Sequence, residues 1–92
     1  MATVRVTTLG YLLQDTPFNR SLLVDTSRVT TMLAMFSGAA SFDQVPAFDT
    51  GSVTDMSRMF YYADAFNQPL AFDVSSVADM FAMFNGVSSL SD

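Results

Sequence analysis

Residues 66–86 read FNQPLAFDVSSVADMFAMFNG, and the same template recurs 24 residues earlier and again 24 before that. Phe18, Phe42 and Phe66 open the copies, and Leu90 begins another. Asp25, Asp49 and Asp73 share one offset; Val29, Val53 and Val77 share a second. Met32/Met35/Phe36 becomes Met56/Met59/Phe60 and then Met80/Met83/Phe84. Ahead of these, Val6-Thr7-Thr8-Leu9 with Leu12 and Leu13 matches Val29-Thr30-Thr31-Met32 with Met35 and Phe36, once one residue is dropped before Phe18. The chain therefore reads as one domain, 1–92, holding a partial repeat (1–17), full repeats (18–41, 42–65, 66–89) and the start of another (90–92). A strict period of this length marks a solenoid, in which no unit buries its apolar face alone.

Within a copy, Val53, Met56, Phe60 and Ala63 follow the i, i+3, i+7, i+10 spacing of one helix face. Ser52 with Asp55, and Ser76 with Asp79, give an S-x-x-D start resembling a capping box. Gly38 and Gly86 stand where such a helix would stop, with Tyr62 less comfortable at that place in the middle copy. Ahead of each helix runs a short segment: Leu22-Leu23-Val24-Asp25, Pro46-Ala47-Phe48-Asp49 and Leu70-Ala71-Phe72-Asp73. Alternation predicts strands with Leu22/Val24, Pro46/Phe48 and Leu70/Phe72 inward. Pro46 and Pro69 lack an amide hydrogen and keep those strands short. The expected fold is α/β, a short-repeat solenoid of leucine-rich-repeat type with one short strand and one short helix per coil.

Composition narrows the chemistry. Half of the 92 residues are apolar, which suits a packed core and not a disordered chain. Without Cys or His the chain has no thiolate nucleophile, imidazole base or disulfide, and it lacks the usual zinc ligands. The four cations are all Arg (Arg5, Arg20, Arg28, Arg58) and the nine anions are all Asp. A net charge of −5 disfavours nucleic acid and an anionic membrane surface as partners. No apolar run approaches the roughly 18 residues that cross a bilayer, and the N-terminus does not read as a signal peptide. No cofactor is expected, and no enzyme.

The run Phe66-Asn67-Gln68-Pro69-Leu70-x-Phe72-Asp73-Val74-Ser75-Ser76-Val77-x-Asp79-Met80-x-x-Met83-Phe84-x-Gly86 resembles the repeat of BspA-like leucine-rich-repeat surface proteins. It is most similar to the branch in mycoplasma-type surface lipoproteins, whose pattern reads FNQPL-x-x-WD-x-SSVTDM-x-x-MF-x-GA. Where that pattern has Trp, this chain has Val24, Phe48 or Phe72, which keeps an apolar position and removes the indole donor. The resemblance implies an extracellular or cell-surface setting and a role in adhesion.

Several residues compete for a functional role. Asp25, Asp49 and Asp73 would form a column of carboxylates at the corners of the coil. They read either as a cation site or as Asx turns in which each Asp accepts backbone N–H groups. One acid per coil in D-x-S/G-x-V spacing favours the second. The Met stripe at helical spacing reads as core, not as a soft-metal site. Tyr61 and Tyr62 replace Ser37-Gly38 and Asn85-Gly86, and exposed Tyr is a common binding anchor; packing of one ring under the loop is the alternative. Phe81 and Leu33 occupy an outward position that Ser57 holds in the middle copy, a pointer to lateral contact. Asn19-Arg20-Ser21 is a glycosylation sequon, meaningful only on a eukaryotic secretory route. Asp55, Asp64 and Asp79 read as a solvated face, since no nucleophile accompanies them.

The outer copies still show apolar residues (Val6, Leu9, Leu12, Leu13; Val77, Met80, Phe81, Phe84) where repeat arrays normally turn polar. Met1 falls at the seventh position of a unit and Asp92 at the third, so a second copy would follow almost in phase; two explanations fit, a chain cut from a longer array or one built to stack end to end. The expected function is a non-catalytic, surface-displayed repeat domain for protein interaction or adhesion. The alternative is a structural subunit that stacks head to tail on other copies of itself, a contact that propagates into filaments.

Overall fold

A computed structural model of the chain describes residues 6–20 and 25–88. The repeats form four layers stacked in register: 6–17, 18–41, 42–65 and 66–88, the second described over 18–20 and 25–41. Parallel bridges join Thr8 to Thr31, Thr31 to Asp55 and Asp55 to Asp79, one repeat apart each time.

The expected α/β leucine-rich-repeat solenoid does not form. Among the described residues there is no helix, and the strand-like pairing consists of those isolated bridges. The bridges at Asp55 and Asp79 sit inside the stretch that reads as a helix, not along 46–49 or 70–73. Pro46 and Phe48 are buried and Ala47 and Asp49 exposed, yet no strand is made there; Leu22, Leu23 and Val24 lie outside the described residues. The result is a compact body with a radius of gyration of 12.4 Å.

A run of β-turns replaces the helix. In layer three the N–H groups of Met59, Tyr61 and Ala63 donate to the carbonyls of Met56, Arg58 and Phe60 at 3.2, 3.1 and 3.0 Å. The intervening N–H groups of Met56, Arg58, Phe60 and Tyr62 donate to Asp79, Phe81, Met83 and Asn85 of the next layer at 2.8–2.9 Å. Alternate amides thus close turns and tie layers, whereas a helix would commit them all to carbonyls four residues back.

The backbone dihedrals make this choice visible. Two residues per layer are left-handed: Tyr11 and Asp15 (φ 63° and 58°), Ala34 and Gly38 (54° and 70°), Arg58 and Tyr62 (54° and 56°), Ala82 and Gly86 (55° and 80°). A left-handed third residue is the mark of a type II turn and ends any right-handed helix. For the non-glycine residues it costs about 1–2 kcal/mol each. The strain persists because hydrogen bonds to the adjacent layers over-determine the conformation. Gly38 and Gly86 are therefore turn corners, not helix stops. The capping boxes are replaced too: Asp55 Oδ1 accepts from the Ser57 N–H and Asp79 Oδ1 from the Phe81 N–H, each at 2.9 Å. The Thr8 and Thr31 hydroxyls do the same for Gly10 and Leu33 at 3.2 Å.

The turns satisfy the apolar spacing that suggested a helix. Val53, Met56, Phe60 and Ala63 are all fully buried, as are Met32, Met35 and Met59. Phenylalanines stack through the layers with nearly parallel rings: Phe36 on Phe60 at 5.3 Å, Phe60 on Phe84 at 5.6 Å, Phe18 on Phe42 at 6.3 Å and Phe42 on Phe66 at 6.1 Å. Fully burying each such ring contributes about 1.5–3 kcal/mol.

Candidate functional site

The repeated polar positions are occupied by the stack itself. Asp25 Oδ1 accepts from both the N–H and the hydroxyl of Ser27, at 3.0 and 2.7 Å. Asp49 Oδ1 accepts from the Gly51 N–H at 3.1 Å, and Asp73 Oδ1 from the Ser75 N–H at 2.9 Å. Each carboxylate closes its own Asx turn. Asn19 Oδ1 accepts from the Asp43 N–H at 2.8 Å and from the Gln44 amide at 3.0 Å, so the sequon carboxamide also ties two layers. Ser21, which completes that sequon, lies outside the described residues.

The Ser27 backbone N–H, then its hydroxyl, hold the Asp25 carboxyl below its ordinary value of 3.8, with Arg28 adding to the effect. The backbone and then the side chain of Ser75 lower Asp73 in the same way. A carboxyl whose value is lower folded than unfolded stabilises the fold above its unfolded value, and that contribution disappears as pH falls through the folded value. The urea midpoint is therefore expected to drop on acidification below pH 3.8. Asp73→Asn, whose amide oxygen keeps the turn but does not titrate, should flatten part of that drop. Identical acid profiles for the two chains would count against the assignment.

The departures from the repeat gather elsewhere. The Arg58 guanidinium carbon stands 5.8 Å from the Tyr61 ring centre and 5.3 Å from the Phe81 ring centre. Tyr61 meets Tyr62 edge to face, with centroids 4.5 Å apart and planes at 81°. The Tyr62 ring also lies against Gly86 of the next layer, where any Cβ would run into it. Phe81 is 65% exposed and Tyr62 52%, while Tyr61 is half-buried. Left-handed turns at Arg58 and Tyr62 present this cluster on one flank, across layers three and four.

Tyr61, Tyr62 and Phe81 are thus brought together. Leu33 is not part of the group: it shares a column with Phe81 but lies two layers away, with the buried Ser57 between. Arg58, which links the aromatics, escaped the sequence reading. Its signal was present, because Arg58 stands in a column otherwise filled by Tyr11, Ala34 and Ala82.

Fold and patch together define a repeat protein whose recurring residues serve its own stack and whose irregular residues form an exposed aromatic and cationic surface. A family model described as "Mycoplasma protein of unknown function, DUF285" matches residues 1–92, and the chain belongs to that family. No curated protein and no solved structure matches it.

Proposed function

We propose that the protein is a non-catalytic interaction domain, displayed at the cell surface, that binds a protein partner through Arg58, Tyr61, Tyr62 and Phe81. One observation carries this reading: a guanidinium flanked by two aromatic rings, with a third ring edge-on, on an exposed flank. Tyr and Arg are the residue types that dominate binding energy at protein interfaces. Cation–π contact holds the Arg58 side chain near its bound geometry, which reduces the ordering cost of association. The complementary partner face carries a carboxylate beside an apolar side chain. The likeness of the repeat to those of BspA-like surface proteins supports surface display and adhesion.

The test is binding of the chain to a panel of purified extracellular proteins by interferometry. Arg58→Ala with Phe81→Ser is expected to weaken the bound partner by about 2 kcal/mol or more, roughly 30-fold, as loss of anchor residues does. Leu33→Ser is expected to leave it unchanged. A partner bound equally by the double variant would displace the patch from this role. Turnover of a substrate by a chain that binds nothing in the panel would overturn the non-catalytic reading.

A further inference from the structure

The repeat-breaking residues of the flank occur at two places, two layers apart. Tyr11 stands in the column of Arg58, Gln14 in that of Tyr61 and Asp15 in that of Tyr62. The backbone is alike at both, with left-handed residues at Tyr11 and Asp15 (φ 63° and 58°) and at Arg58 and Tyr62 (54° and 56°). The seating is alike too. The Asp15 carboxylate lies over Gly38 of layer two, where any Cβ would run into it, as the Tyr62 ring lies over Gly86 of layer four. Contacts between neighbouring layers inside the chain make both placements. The flank therefore carries two versions of one surface, and they differ in charge: Arg58 makes the layer-three version cationic, and Asp15 makes the layer-one version anionic.

Neither charge is paired within the chain. The Arg58 guanidinium has Tyr61 and Phe81 beside it but no carboxylate or other acceptor among the described residues. Asp55, in the same layer, gives Oδ1 to the Ser57 N–H and hydroxyl at 2.9 and 2.7 Å. The Asp15 carboxylate likewise has no donor among the described residues. Tyr11, 54% exposed, places an aromatic ring in the same layer as Asp15. Together they supply the carboxylate and the apolar side chain that the Arg58 patch is complementary to.

We infer that the partner of the flank patch is a second copy of this chain, packed flank to flank, with Arg58 of each copy against Asp15 of the other. The inference rests on the reading of the patch as a protein-binding surface and names its occupant. A contact made by the same flank on both sides is isologous, so the two charge pairs form together and the assembly closes at two chains. Within one chain the two charges stand two layers apart, about 10 Å along the stack. Four layers give a flank about 20 Å tall, small beside the roughly 800 Å² that each partner buries in a standard interface. The dimer is therefore expected to be weak, with a Kd between about 10 μM and 1 mM.

Sedimentation equilibrium of the 92-residue chain tests this, together with two charge reversals. About 0.15 M salt limits the general repulsion between two chains of net charge −5 to a range of about 8 Å. The parent is expected to pass from one chain to two as concentration rises, and no further. Arg58→Asp sets an acid against Asp15, and Asp15→Arg sets a guanidinium against Arg58. Each variant alone is expected to dimerise at least about 10-fold more weakly. Mixed in equal amounts, the two variants restore both opposite-charge pairs, and a mixed dimer is expected to form as readily as the parent dimer. Both residues are exposed, and urea midpoints check that the variants fold. A parent that is wholly monomeric at about 1 mM would overturn the inference. So would a dimer that neither reversal weakens, or a mixture of folded variants that associates no better than either alone. The role of the patch toward other proteins is read separately, from panel binding of Arg58→Ala with Phe81→Ser, which does not depend on self-association.

Discussion

Phe60→Ala is expected to destabilise the protein by about 3–5 kcal/mol. The ring is fully buried at the centre of the phenylalanine columns. It touches Phe36 at 5.3 Å, Phe66 at 4.2 Å and Phe84 at 5.6 Å, with interplanar angles of 8°, 22° and 2°. Removing it deletes three stacked contacts and leaves a void between layers that cannot close, because their spacing is fixed by backbone hydrogen bonds on both sides. A chain of this size is stable by about 5–14 kcal/mol in all, so the variant loses a large share of its margin. Phe84→Ala is a graded control. That ring is half-buried with Phe60 as its stacking partner, and its loss is expected to cost about half as much. Urea midpoints read both values. Equal losses at 60 and 84 would show that layer position does not govern the packing energy.

Thr50→Val is expected to cost about 2 kcal/mol, although it changes almost no volume. Thr50 is 2% exposed, and its hydroxyl serves the backbone of one residue of the next layer twice. It donates to the Asp73 carbonyl at 3.0 Å and accepts from the Asp73 N–H at 2.8 Å. Thr26 makes the same pair with Asp49, at 3.1 and 2.8 Å. Valine leaves both Asp73 groups without a partner, and an orphaned buried polar group costs about 1–3 kcal/mol, less where water reaches it. The third member of the column is Val74, which is 46% exposed. Val74→Thr is therefore expected to be near neutral. For a domain of this length the loss at Thr50 corresponds to a Tm drop of about 8–16 °C. A Thr50→Val chain that melts with the parent would remove the hydroxyl from the interlayer connections.

The period was legible in the sequence and the backbone was not. Repeating apolar columns put Met32, Met56, Phe36 and Phe60 in the core, because stacking copies buries equivalent positions against each other. The same spacing of Val53, Met56, Phe60 and Ala63 fits a helix face and a run of β-turns equally well. Hydrophobic pattern therefore does not separate the two. Turn chemistry does, and it was visible: Ser37-Gly38 and Asn85-Gly86 are turn dipeptides, with both glycines at positive φ. The conformations of Ala34, Arg58 and Ala82 had no such signal, since none of these residues favours the left-handed region and the stack imposes it. At the candidate site, Tyr61, Tyr62 and Phe81 stood out as breaks in the repeat. Their meeting depends on layer three lying on layer four in register, a tertiary fact that no local pattern carries.

Amide hydrogen exchange on the dilute chain tests the stacked-turn backbone most directly. In layer three the N–H groups of Met56, Arg58 and Phe60 are bonded to layer four, while the equivalent groups of Met80, Ala82 and Phe84 have no acceptor among the described residues. The expected result is slow exchange at 56, 58 and 60 and fast exchange at 80, 82 and 84, despite near-identical local sequence. Helices in both copies would satisfy these amides from within their own layer, so equal protection of the two sets would contradict the fold described here.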